Sequence, residues 1–202
     1  MLVTAIVLAA GQSRRMGRFK QLLPLDGCTV VETVVERLGS VARRDFELAT
    51  VVVLGHRAGE VERRLGNRDL ACVVNERFRQ GMVTSVQSGV RSADPKSAGY
   101  LVCLGDQPDL NTEVVARIIH CSRSAGAGIV VPTHRGKRGH PVYICGRYRD
   151  EILALPADKG LNTVTGRHAG DTVELEVDAA EVLEDLDTPA DYLRLGARFA
   201  ID

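Results

Sequence analysis

Val3-Thr4-Ala5-Ile6-Val7-Leu8-Ala9-Ala10-Gly11-Gln12-Ser13-Arg14-Arg15-Met16-Gly17-Arg18-Phe19-Lys20 is an apolar run that breaks into small residues and then into cations. The first six residues, 3–8, read as a buried strand, because apolar side chains occupy both faces rather than alternating with polar ones. Beyond Leu8 the chain enters a turn with two glycines, a serine and four cations between Arg14 and Lys20. Small residues let backbone N–H groups approach an anion closely, and the cations add charge beside them. A triphosphate is the expected ligand. At about 4 Å and an effective dielectric near 20, one phosphate–cation contact is worth roughly 4 kcal/mol before desolvation, so two placed cations dominate the holding of such a substrate. A solvated basic turn is the competing reading; the turn's place directly after the first strand argues against it.

Working outward, further short runs rich in Val, Ile and Leu recur at residues 50–54, 71–74, 100–104 and 129–131. Between them lie helical stretches at 29–38, opened by a Thr29-to-Glu32 capping box, at 58–65, at 83–91, and at 112–122 behind the cap candidate Asn111. This alternation predicts an α/β fold: a three-layer, doubly wound, mostly parallel sheet of Rossmann-like type. Beyond residue 132 the pattern loosens into a basic Gly-rich loop at 135–139, a strand-like 141–145, a helical piece at 148–155, a strand at 172–177 and a terminal helix starting at Pro189. The expected organisation is one domain over 1–202, with a nucleotide-binding half of about 1–110 and an acceptor-binding half of about 111–202. In such sheets ligands lie beyond the carboxyl ends of the strands, which directs attention to the loops there.

Composition narrows the function. The 202 residues carry 26 basic and 26 acidic side chains, so no global field recruits nucleic acid or an anionic membrane. The five cysteines have no CxxC or other metal-ligand spacing, and Cys72 and Cys103 fall inside apolar runs, as inert thiols of a reducing cytoplasm do. No leader-like or membrane-spanning stretch is present, and a cytoplasmic protein is expected. Neither G-x-G-x-x-G nor G-x-x-x-x-G-K-[ST] occurs, which disfavours dinucleotide and kinase-type phosphate loops.

A second loop, Leu104-Gly105-Asp106-Gln107-Pro108-Asp109, leaves the strand at 100–104. Its Asp106 is placed for Mg²⁺, which takes one or two carboxylates and completes its shell with water and phosphate oxygens. An ordinary Asp turn is the alternative. The segment Gln80-Gly81-Met82-Val83-Thr84-Ser85 offers donors for a base edge or for capping the helix behind it, and by periodicity alone capping prevails. Arg135 to Pro141 forms a basic loop suited to an acceptor phosphate or to a solvated turn.

The string LAAGQSRRMGRFKQLLPLDG resembles the signature of the MobA-like NTP transferases, and within them looks most like the molybdenum cofactor cytidylyltransferase branch. The resemblance runs from residue 3 to about 195. It implies a Mg²⁺-dependent enzyme that moves CMP from CTP to a phosphorylated acceptor of the molybdopterin type. By that resemblance Leu8, Ala9 and the backbone from Ala10 through Gly11 and Gln12 to Ser13 hold the nucleotide. Arg15 takes the β and γ phosphates and Lys20 the α phosphate. GDQP matches the branch's metal signature at Asp106. Asp185-Leu186-Asp187-Thr188-Pro189-Ala190-Asp191 resembles the family's DTPxD element, with Asp187 as the second metal ligand and Asp185 as its rival. The resemblance also places Gly81 and Ser85 at the base and His140 of GHPV at the acceptor. Residues 155–162 depart from the family's L-x-G-D-x-G-A-R pattern at Ala157 and Asn162, which leaves the acceptor open. Other readings are a transferase using GTP or another NTP, an NAD(P)H-dependent oxidoreductase on the same fold, and a delivery partner of a molybdenum hydroxylase.

Overall fold

A computed structural model describes residues 1–41 and 46–199. In chain order the elements are β1 (Leu2–Ala9), β2 (Pro24–Leu25), β3 (Cys28–Thr29), α1 (Val30–Gly39), β4 (Glu47–Leu54), α2 (Ala58–Leu65), β5 (Ala71–Val74), α3 (Met82–Ser92), β6 (Gly99–Leu104) and α4 (Thr112–Ser124). They continue with β7 (Ile129–His134), β8 (Lys137–Arg138), β9 (Val142–Cys145), α5 (Arg149–Ala154), α6 (Asn162–Arg167), β10 (Thr172–Glu176) and α7 (Pro189–Phe199).

The main sheet runs β10-β7-β9-β6-β1-β4-β5, with β8 paired to β7 and the β2–β3 hairpin standing apart. β1 lies parallel to both β4 and β6, and β4 parallel to β5. β9 runs antiparallel to both neighbours, β6 and β7, while the remaining six strands of that path all point the same way. This is the mostly parallel doubly wound sheet that the apolar runs predict, with one antiparallel strand inserted where the pattern loosens.

Alternate residues of the central strands feed two cores, because successive side chains of a strand point to opposite faces. Val3, Ala5 and Val7 pack with Val31, Val34 and Leu38 of α1, Val61 and Leu65 of α2 and Ile118 and Ile119 of α4. Ile6, Val51, Val53 and Val102 pack with Val83, Val86 and Val90 of α3, Ile152 of α5 and Val164 of α6. Both faces are therefore covered, and every residue of β6 and β7 is buried. A smaller third cluster joins Met16, Leu23, Leu25 and Val30 to Leu186 and Leu195, fixing the chain's last helix against the segment after β1.

Several local expectations hold in detail. The Thr29–Glu32 capping box is formed at α1, and Asn111 accepts from the N–H groups of Glu113 and Val114 at α4. β4 begins at Glu47, ahead of residue 50, and Cys72 is half-buried rather than enclosed, since β5 is an edge strand. Cys103 is fully buried, and that burial drives its thiol well above the ordinary range.

Glu32 does more than cap. Burial opposes its charge, yet hydrogen bonds from Thr29 and the Arg64 guanidinium hold its carboxyl below the usual value, and Arg68 adds a further pair at 2.9 Å. Glu32→Ala should therefore lower stability by about 0.5–2 kcal/mol, the usual range for losing a cap, measured by urea unfolding. A loss below the error of that measurement would mean the cap and the bridge to α2 are dispensable.

Candidate functional site

The loops at the carboxyl ends of the parallel strands are tied to one another through their backbones. Gly105 N donates to Leu8 O at 3.1 Å, His56 N to Ala10 O at 3.2 Å, and Asn75 N to Leu54 O at 2.8 Å. A Cβ at position 105 would lie 2.8 Å from the Leu8 carbonyl oxygen, so this approach requires glycine. Asp106 is the next residue, and the tie carries it to the start of the cationic turn after β1.

Within that turn the backbone is held by a few local contacts. Ser13 takes the left-handed conformation, with φ of 53°, and Met16 N donates back to Ser13 O. The Ser13 hydroxyl accepts from Lys20 N and donates to the Gln21 side chain, which closes the turn on itself. The N–H groups of Gly11 through Arg15 find no protein acceptor among the described residues. Successive free amides beside a left-handed residue form a concavity that binds phosphate oxygens.

The cations and carboxylates meet here. Lys20 Nζ is paired with Asp106 Oδ2 and lies 3.2 Å from Asp187 Oδ1, while Arg15 reaches Asp187 Oδ2 at 2.9 Å. The Lys20 side chain is only 12% exposed, whereas that of Arg15 is 75% exposed. Burial works against the Lys20 charge, but the Asp106 and Asp187 carboxylates outweigh it and raise its affinity for the proton. Lys20 is thus a fixed ammonium and Arg15 an outer, adaptable one.

Asp185 and Asp187 arrive from the far end of the sequence. Leu186 between them is buried in the third apolar cluster, and its N–H donates to Asp106 O at 3.0 Å. That anchor turns both flanking carboxylates toward the cleft. Asp187 meets Lys20, while Asp185 accepts from the Gln107 amide at 2.8 Å. Thr188 and Asp191 exchange hydrogen bonds at the start of α7, so Asp191 serves the helix.

These groups line an open cleft of about 310 Å³ shared by Leu8, Ala10, Gly11, Arg15, Lys20, Ser85, Asp106, Asp185 and Asp187. Ala9 faces the core beneath, and Gln12 and Ser13 stand in the turn without lining the cleft. Ser85 reaches the cleft, with its hydroxyl accepting from the buried Asn75 amide at 3.0 Å. Gly81 does not line it: with φ of 135°, it packs against the Ala157 carbonyl, and a Cβ there would meet that oxygen at 2.4 Å. His140 is mostly buried close enough to Asp106 to feel its charge, and burial lowers its basicity. The basic loop turns elsewhere, since Arg138 pairs with Glu174 and Arg135 N donates to Glu176 on the edge strand β10.

Gln21, Phe78, Met82 and Leu104 also line the cleft, and no motif reading singles them out. Three of the four are apolar and look like core in the sequence; Gln21 directly follows Lys20 and is the one with a signal. Two carboxylates sharing one cation are a donor set that suits a hard divalent ion able to keep waters and phosphate oxygens. Among the described residues no group of three His, Cys, Asp or Glu side chains forms a closed metal cage.

The model of the MobA-like NTP transferase domain matches residues 5–173. The chain belongs to that family. It is a nucleotidyltransferase by that membership, and it is 28% identical to the molybdenum cofactor cytidylyltransferase of Escherichia coli, across 98% of this chain and 97% of that one. It is 31% identical to the nicotine blue oxidoreductase of Paenarthrobacter nicotinovorans, over 96% of each. Among solved structures, the manganese complex of the Rv0371c protein from Mycobacterium tuberculosis is similar with a TM-score of 0.77 and 28% identity, covering 96% of this chain and 98% of that one. No helix among the described residues is long and apolar enough to cross a membrane.

Asp185 gives this transferase a pH signature. Burial, and then the neighbouring Asp106 carboxylate, raise its carboxyl above the ordinary value, so the folded state penalises its charged form. A raised carboxyl lowers stability as pH climbs through and above its usual range near 4. Asp185→Asn keeps an acceptor for Gln107 and should raise the Tm at neutral pH, with the gain shrinking as pH falls into that range. A Tm that drops at neutral pH would show the negative charge itself to be stabilising.

Proposed function

We propose that the chain transfers CMP from CTP to the phosphate of a small acceptor of the molybdopterin type, releasing pyrophosphate, with Mg²⁺ as its metal. The observation that carries this reading is the convergence of Gly11, two cations and three carboxylates in one cleft at the strand ends, beside a turn whose amides have no protein acceptor among the described residues. In this reading Gly11 to Ser13 cradle the triphosphate from below, with Leu8, Ala9 and Ala10 as the strand end that fixes the cradle. Arg15 takes the β and γ phosphates and Lys20 the α phosphate. Ser85 contacts the base, with Gly81 fixing the wall behind it, and His140 faces the acceptor. The halves 1–110 and 111–202 then form one working domain, divided between nucleotide and acceptor.

An acceptor phosphate oxygen attacks the α phosphorus in line, the bond to the bridging oxygen breaks, and pyrophosphate departs. The acceptor is already anionic at neutral pH, so no side chain need remove a proton. Lys20 and Arg15 neutralise charge on the phosphate oxygens as the leaving group separates, and the rigid amide cradle holds the α phosphorus on the line of attack. Asp106 and Asp187 would hold Mg²⁺, which supplies Lewis-acid charge neutralisation at the phosphates. The manganese complex of a similar protein supports a divalent ion in this role. A cytoplasmic setting, and onward delivery of the product to a molybdenum hydroxylase, belong to the same reading.

A second reading, an NAD(P)H-dependent oxidoreductase, has one finding in its favour, the 31% identity to nicotine blue oxidoreductase. The two separate in one assay series: pyrophosphate release from CTP, GTP, ATP and UTP with a molybdopterin acceptor and Mg²⁺, beside the absorbance of NAD(P)H. CTP-dependent release with no nicotinamide consumption is expected; release from GTP alone, or NAD(P)H oxidation without release, would replace the proposal. Asp106→Ala should keep the wild-type circular dichroism spectrum and lose roughly a hundredfold or more in kcat, the scale of one electrostatic contact to the transition state.

A further inference from the structure

Lys20 is held on both sides by carboxylates. Its ammonium is paired with Asp106, lies 3.2 Å from Asp187, and sits in a side chain only 12% exposed. Arg15 adds a second cation to Asp187 from the solvent side, at 2.9 Å. Asp185, the third carboxylate of the cleft, is engaged by Gln107. The two carboxylates that suit a divalent ion are therefore already neutralised by side chains of the same chain.

We propose that the Lys20 ammonium is a built-in counter-ion that competes with the metal for Asp106 and Asp187, so that metal enters only as nucleotide phosphates draw Lys20 away. The inference rests on the metal and phosphate roles proposed above for these residues. A dication and an ammonium cannot share the space between two carboxylates without strong repulsion. Even at the dielectric of water, a dication and a unit charge about 4 Å apart repel by enough to weaken binding roughly thirtyfold. A triphosphate seated against Gly11, where the turn after β1 meets the cleft, offers Lys20 and Arg15 new anionic partners there. Once they turn to it, the carboxylates are released to the metal, and the two ligands bind with positive coupling. Before that exchange, Lys20 keeps Asp106 and Asp187 together despite their like charges, so the site stays assembled.

The test uses Mn²⁺ alone, monitored by the electron paramagnetic resonance signal of the free ion, on the full-length nucleotide-free protein. Wild type should bind Mn²⁺ weakly. Lys20→Met should bind it at least tenfold more tightly, and a second substitution, Asp106→Asn, should abolish the gain. Lys20→Gln is measured in parallel, and thermal melting monitored by circular dichroism identifies which variants are folded and so can be read. Arg15→Met, which removes a largely exposed cation paired with Asp187, should change affinity by no more than a few-fold. Equal or weaker Mn²⁺ binding in folded Lys20 variants would overturn the inference, as would a gain that survives Asp106→Asn or one matched by Arg15→Met. This outcome is independent of turnover. Failure here, with CTP-dependent pyrophosphate release intact, removes the counter-ion role alone; tighter Mn²⁺ binding in an enzyme inactive toward every NTP removes the CTP reading alone.

Discussion

The hydrogen bond from Gly105 N to Leu8 O brings two loops, about ninety-five residues apart in sequence, into one site. It exists because β1 and β6 are parallel neighbours in register, so both end at the same level of the sheet and both loops leave in the same direction. Parallel register therefore does for chemistry what a short linker cannot. The cationic turn and the acidic loop each look ordinary alone; joined at the strand ends, they form a dipolar cleft. Everything further in the site depends on that junction, including the docking of Leu186 on Asp106 O and the pairing of Asp187 with Lys20.

Much of this was legible in the residues. Strands β1 and β6 are uninterrupted apolar runs because both faces are buried, and the glycines and cations after Leu8 mark the turn that leaves β1 on composition alone. The Asn111 and Thr29 caps arise from local chemistry that packing leaves intact. The antiparallel direction of β9 is different in kind, since strand polarity is set by the path of the connecting chain and leaves no mark on a four-residue apolar segment. The two-residue strands β2 and β3 are too short to show a period, although Asp26-Gly27 between them carries a hairpin signal.

At the site the same division appears. Asp106 could be read from its position and the turn's cations from their charge, with Arg15 and Lys20 singled out among them only by the family resemblance, whereas Phe78 and Met82 carry no polar signal and enter the cleft from the short turn before α3 and from its first residue. Gly81 shows the opposite failure. Its motif suggests contact with a base, but its geometry serves the approach of the Ala157 carbonyl, so its importance is to hold residues 155–161 against α3. Asn75 passes unnoticed as one more polar residue after a strand, yet its amide orients the Thr84 and Ser85 hydroxyls.

The third apolar cluster has a different consequence. Asp187 is held by a patch of Met16, Leu23, Leu25, Val30, Leu186 and Leu195 that shares no member with the two large cores. Opening that patch would release one carboxylate while the sheet stayed folded, because cooperative units detach at free energies below that of the whole. Competence and foldedness in this molecule are thus separable properties: a population can retain its full strand content and have lost half of its acidic pair.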